Sequence, residues 1–171
     1  SKLRKFRKSR IVYCPPYTLL SDFIKKVKKT KIDVGAQNCH ESDLFGPYTG
    51  FVNSKMIKNL GCKYVIIGHS ENRFAGEKNK LINKKIKSAL KCGLKVFLCI
   101  GETINQKRKN KTNKILSSQI IQSLKNVKHF KNIIIAYEPV WSIGTGIIPN
   151  IKDLKKNIIF IKKLIKKKYK I

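Results

Sequence analysis

Five short runs of β-branched and apolar residues, each followed by an amphipathic, lysine-rich stretch, constrain this chain more than any other feature. The runs cover residues 11–14, 32–37, 64–68, 95–101 and 132–137. Each is only a few residues long and rich in Val and Ile, the pattern of a strand buried on both faces. The stretches between them repeat with helical spacing. Leu20, Phe23, Ile24 and Val27 form one stripe, and Met56, Ile57 and Leu60 form another ahead of Gly61. Leu81, Ile82, Ile86, Ala89 and Leu90 run up to Gly93. Ile115, Leu116, Ile120, Ile121 and Leu124 form a fourth stripe, and Ile151, Leu154, Ile158, Ile161 and Ile165 a fifth, widened by Ile159 and Phe160. Strands alternating with helices in this way predict an α/β fold with a parallel sheet under covering helices. Periodicity alone leaves a flavodoxin-like open sheet and part of a (β/α)8 barrel equally open.

Charge bears on partners. The 39 Lys and Arg against 9 Asp and Glu give a formal net charge of +30. A nucleic-acid-binding role is the obvious rival reading of such a number. Nucleic-acid binders cluster their charge and favour Arg, whose planar fork grips phosphates and bases. Here 34 of the 39 are Lys, spread through every polar stretch, and Lys, Ile and Asn together fill 72 of 171 positions. That bias fits compositional drift better than a binding face, so no nucleic-acid partner is expected. Lysines on outer helix faces can lay their aliphatic stems over apolar surface while the ammonium groups stay in water.

Compartment follows from cysteines and hydropathy. Cys14, Cys39, Cys62, Cys92 and Cys99 are odd in number and contain no CxxC pair. Free thiols in a reducing compartment fit this better than a disulfide framework or a zinc site. No apolar run approaches the ~20 residues of a membrane helix, so a cytoplasmic protein without membrane contact is expected. The basic segment 1–10 reads as the tail of an amphipathic helix, since the apolar run behind it is too short for a signal peptide.

Acids are scarce enough for their placement to matter. Glu71, Glu102 and Glu138 each follow a strand-like run directly, and His69 shares that position. The carboxyl ends of parallel strands are where α/β folds gather their active sites, although such acids also serve as helix caps. After Glu138 comes Pro139-Val140-Trp141-Ser142-Ile143-Gly144-Thr145-Gly146, an apolar segment with two glycines. It matches neither a dinucleotide fingerprint nor a P-loop, and reads as a lid or a packed surface loop.

Taken together, Gly35-Ala36-Gln37-Asn38, Tyr48-Thr49-Gly50, Gly68-His69-Ser70-Glu71, Cys99-Ile100-Gly101-Glu102 and Tyr137-Glu138-Pro139-Val140-Trp141 with Ile143-Gly144-Thr145-Gly146 resemble the triosephosphate isomerase family. The resemblance runs in family order over nearly the whole chain. It implies part of a TIM (β/α)8 barrel, strands two to six with their helices, as a single incomplete domain over residues 1–171. It further implies interconversion of dihydroxyacetone phosphate and D-glyceraldehyde 3-phosphate through an enediol(ate), without metal or organic cofactor. Under it Glu138 is the catalytic base and His69 the electrophile, kept neutral by a helix N-terminus in the general account of this enzyme. Glu71 becomes a supporting acid, Ser70 helps hold the site, and Gly144 in the lid offers a backbone N–H to the substrate phosphate.

A homodimer through the loop around Thr49 is also implied. That loop departs from the family pattern. Phe51 stands where a Glu is usual, Asn72 where an Arg is usual, and Pro47 where an Ala is usual. The first strand, with its asparagine and lysine, and the seventh and eighth strands with their phosphate loops have no counterpart in these 171 residues. An inactive truncated remnant of the enzyme is therefore the second reading, and a basic nucleic-acid-binding protein the third.

Overall fold

The computed structural model describes residues 9–170. Most of the basic segment 1–10 therefore lies outside the described residues. Five strands form one sheet, β1 (Ile11–Tyr13), β2 (Ile32–Ala36), β3 (Tyr64–Ile67), β4 (Lys95–Ile100) and β5 (Ile133–Tyr137), in the spatial order of the chain. Pairing is parallel where it has a defined register, with Ile11 opposite Ile32 and Gly35 opposite Tyr64. All five expected runs are strands, each shortened by a residue or so at its ends.

The helices are α1 (Leu20–Val27), α2 (Ser54–Leu60), α3 (Ser70–Phe74), α4 (Asn79–Lys91), α5 (Ile104–Arg108), α6 (Thr112–Ser123) and α7 (Ile151–Tyr169). Their ends are chemically marked. Asn53 caps α2 by accepting the Met56 N–H at 2.9 Å, and Gly61 closes it in the left-handed conformation. Thr103 and Gln106 form a reciprocal capping box on α5. Asn150 caps α7 by accepting the Lys152 N–H.

The residues group into two compact units. The first holds residues up to 67, with 84–97 and 128–134, and its core includes Leu20, Val34, Ile57, Tyr64, Ile86 and Val96. Two strand-facing features stand out there. Tyr64 stacks on Phe97, and its hydroxyl accepts from Arg10 at 3.0 Å. Lys85, on the face of α4 that points inward, is buried and donates to Asn38 at 3.2 Å, an exception to the solvated lysines expected from composition.

The second unit holds residues 68–83, 98–127 and 135–171. Its core is Ile82, Leu98, Ile100, Leu116, Ile120 and Leu124. The fifth stripe is helical as expected, yet little of it is covered. Of the stripe predicted for α7 only Ile161 is buried, while Ile151 is 68% and Ile158 42% exposed. Helix α7 packs against α6 on one side. Polar contacts tie it further to β5 through Asn157 and Tyr137 and to α5 through Asp153 and Lys107.

Candidate active site

The chemistry-bearing side chains expected at strand ends all fall in the second unit. Strand β3 runs out at Ile67, and Gly68 turns the chain with φ +77. His69 then becomes the N-cap residue of α3, and its carbonyl accepts the Arg73 N–H at 3.0 Å. This places the imidazole at the mouth of the strand. Glu138 follows β5 directly, and its N–H continues the ladder by donating to the Ile100 carbonyl at 2.9 Å. The approach of the two backbones is so close that a Cβ at residue 101 would overlap the Glu138 carbonyl oxygen. Gly101 is the residue type that permits Glu138 to sit there.

Two carboxylates flank the imidazole. Glu138 Oε2 lies 3.6 Å from His69 Nε2, and Glu71 Oε2 lies 3.5 Å from Nδ1. His69 is about three-quarters buried, Glu138 is half-buried and Glu71 is exposed. A carboxylate and an imidazole at this separation can address neighbouring atoms of one small ligand, one removing a proton while the other donates one. Ser70, half-buried, begins α3 beside them.

Glu102 is the third strand-end acid, and it does not cap a helix, since Thr103 does that. It is 1% exposed and accepts from the Trp141 indole N–H at 3.0 Å and from the Tyr137 hydroxyl at 3.2 Å. The Tyr137 oxygen in turn accepts from Asn157 at 2.8 Å. Burial, reinforced by the neighbouring Glu102, pushes the Tyr137 phenol well above its ordinary pKa, so it remains a donor at every ordinary pH. Lys107 lies 4.1 Å from the Trp141 ring centroid and pairs with Asp153 at 3.3 Å. These groups line a cavity of about 330 Å³.

The segment from Pro139 leaves this anchor as a short turn over Val140–Ser142, held by the Ser142 hydroxyl on the Pro139 carbonyl at 2.8 Å. Thr145 then donates to the Trp141 carbonyl at 3.0 Å. Gly144, with φ +67, is exposed. The segment is thus pinned at its root and exposed at its tip.

The family model described as triosephosphate isomerase matches residues 1–171. The chain belongs to the triosephosphate isomerase family. The triosephosphate isomerase of Alkaliphilus oremlandii is 39% identical over 163 residues, covering 93% of this chain and 65% of the relative. That of Thermoanaerobacter sp. (strain X514) is 40% identical over 168 residues, covering 96% and 67%. A crystal structure of triosephosphate isomerase from Bartonella henselae superposes with a TM-score of 0.84 at 36% identity, over 92% of this chain and 63% of that one. The chain thus spans about two-thirds of the length of these relatives. Its five parallel strands and their helices are part of the (β/α)8 barrel, which decides between the two architectures that periodicity left open.

Within that family frame, His69, Glu71 and Glu138 come together in space, with Ser70 next to them in sequence. Gly144 stands apart at the exposed tip of the 139–146 segment. Sequence reasoning singled out Glu102 and Trp141 but not the contact between them, nor Tyr137 and Asn157 as its further members. Arg73 was missed as well. The signal that could have found it is its type, as it is the only Arg between Arg10 and Arg108 in a chain that uses Lys almost everywhere else.

Proposed function

We propose that the whole protein is a triosephosphate isomerase, interconverting dihydroxyacetone phosphate and D-glyceraldehyde 3-phosphate. The observation that carries this reading is the pairing of His69 and Glu138 at 3.6 Å, at the ends of β3 and β5, the strands on either side of β4. Glu138 takes a proton from the carbon beside the substrate carbonyl. His69 donates to the carbonyl oxygen, so an enediol(ate) forms instead of a bare carbanion. Glu138 then returns its proton to the adjacent carbon, while His69 moves a proton between the two oxygens. No net oxidation occurs, and every proton removed is returned, so no cofactor is required.

Supporting roles follow the same reading. Glu71 sits behind Nδ1 of the imidazole, and Ser70 helps hold the turn. The 139–146 segment closes over the substrate, with the Gly144 N–H meeting its phosphate and water kept from the enediolate. The +30 carried by these 171 residues raises the encounter rate with a phosphate dianion at low salt.

The protein works as a homodimer through the loop around Thr49 in this account. Exposed Leu44, Phe45, Tyr48 and Phe51 on that loop supply apolar contact in place of the usual polar pair. Phe51 and Tyr48 pack on the His40 ring at 4.8 and 4.6 Å, giving the loop an aromatic base. No described helix is long and apolar enough to cross a membrane, and we place the enzyme in the cytoplasm. The test is direct assay of the full-length protein with both triose phosphates, alone and as the Glu138→Gln variant. Equal turnover by the two would refute the assignment of the base.

A further inference from the structure

Arg73 takes no part in the chemistry just described, yet all three nitrogens of its guanidinium are engaged beside it. Its Nε donates to the Gly68 carbonyl at 2.7 Å, its Nη2 to the Cys99 carbonyl at 3.1 Å, and its Nη1 to Asn79 Oδ1 at 2.7 Å. Gly68 is the residue immediately before His69. Cys99 is the residue immediately before Ile100, whose carbonyl carries the Glu138 N–H at 2.9 Å. The Arg73 backbone N–H also holds the His69 carbonyl. One guanidinium therefore spans the end of the strand that presents His69 and the end of the strand on which Glu138 leans.

The surroundings are built to accept it. Gly68 is left-handed, and a Cβ there would lie 3.0 Å from Arg73 Nη2 and 3.2 Å from the Cys99 oxygen, so the guanidinium fills the space a side chain would need. Asn79 is fixed in turn by donating to Gln122 at 3.1 Å. On the other side Gln119 clamps the Gly101 peptide with two hydrogen bonds, at 2.9 and 3.0 Å. Arg73, Gly68 and Glu138 line one small cavity. A planar fork with donors at fixed angles can hold two carbonyls on different strands, whereas an ammonium on a flexible stem cannot fix both at once. This explains an Arg in a chain with 34 Lys and 5 Arg.

We propose that Arg73 is a positioning residue that sets the separation of His69 and Glu138 by tying the two strand ends together through the Gly68 and Cys99 carbonyls. The proposal rests on the isomerase reading for its kinetic consequence, but its structural part stands independently. Misplacing a reacting group by about an ångström can cost about 10²-fold in rate.

The experiment uses the full-length protein and the variants Arg73→Lys and Arg73→Ala. The Lys variant retains charge and most of the packing, which guards against simple unfolding. Steady-state kinetics and 15N-imidazole spectra of His69 are recorded on the folded fraction, with and without added guanidinium. The expected result is a kcat lower by about tenfold to 10²-fold in Arg73→Lys with KM little changed, shifted or broadened His69 resonances, and partial recovery of Arg73→Ala by guanidinium. Unshifted His69 resonances in folded Arg73→Lys would overturn the proposal, with or without turnover. So would losses of activity that merely track the unfolded fraction and resist rescue. Absence of turnover in the unmodified protein would instead overturn the isomerase reading.

Discussion

His69 Nε2 and Glu138 Oε2 stand 3.6 Å apart although 69 positions of sequence separate the two residues. His69 is held by the turn out of β3 into α3, and Glu138 by a ladder bond to Ile100 one residue beyond β5. The separation is a property of the backbone, so changes in backbone packing should be read out in catalysis.

Gly101 gives the sharpest case. A methyl group there would overlap the Glu138 carbonyl, so Gly101→Ala must push Glu138 away from Ile100. The expected cost is about 1–3 kcal/mol of stability, as for overpacking in a rigid interior. The isomerase rate should fall further than the folded fraction does. Urea unfolding and steady-state kinetics on the same preparation separate the two effects.

Glu102 tests the root of the 139–146 segment. Replacing it by Leu leaves the Trp141 N–H and the Tyr137 O–H without their acceptor in a buried place. Each unsatisfied donor costs about 1–3 kcal/mol. Trp141→Phe removes one donor together with its need and should cost less. Trp141 is the only tryptophan, so its fluorescence reports the local environment directly in Glu102→Leu. A stability equal to that of the unmodified protein would show that the contact does not anchor the segment.

Thiol chemistry supplies a pH prediction from the other unit. Burial, with a smaller contribution from Cys14, pushes the Cys62 thiol up to about 11. The thiolate is the nucleophile, so a raised pKa means a protonated, slow thiol at neutral pH. Alkylation of native protein at pH 8 should leave Cys62 unmodified, with its rate still climbing towards pH 11. Fast labelling at pH 8 without unfolding would contradict the buried placement.

Much of this fold is legible in the sequence, for a physical reason. Buried parallel strands must be short, apolar and β-branched, so residues 32–37 and 64–68 announce β2 and β3 almost to the residue. Helix α3 and helix α5 were not foreseen, because five residues cannot display a 3.6-residue period. The only mark of α5 is its Thr103–Gln106 capping box. The stripe of α7 misled in another way, since periodicity identifies an apolar face but not what covers it. Ile151 and Ile158 belong to the stripe and are exposed. At the site, motif and strand-end position named His69 and Glu138, but the fork of Arg73 and the buried acceptor Glu102 depend on partners far away in sequence.

The central claim is that Glu138 and His69 form a proton-transferring pair in a triosephosphate isomerase. The most direct measurement is hydrogen exchange at the substrate carbon during turnover in deuterated water, comparing the full-length protein with Glu138→Gln. The account predicts solvent deuterium in the product of the unmodified enzyme and a rate at least ~10²-fold lower in the variant. Near-equal rates in the two proteins would contradict it.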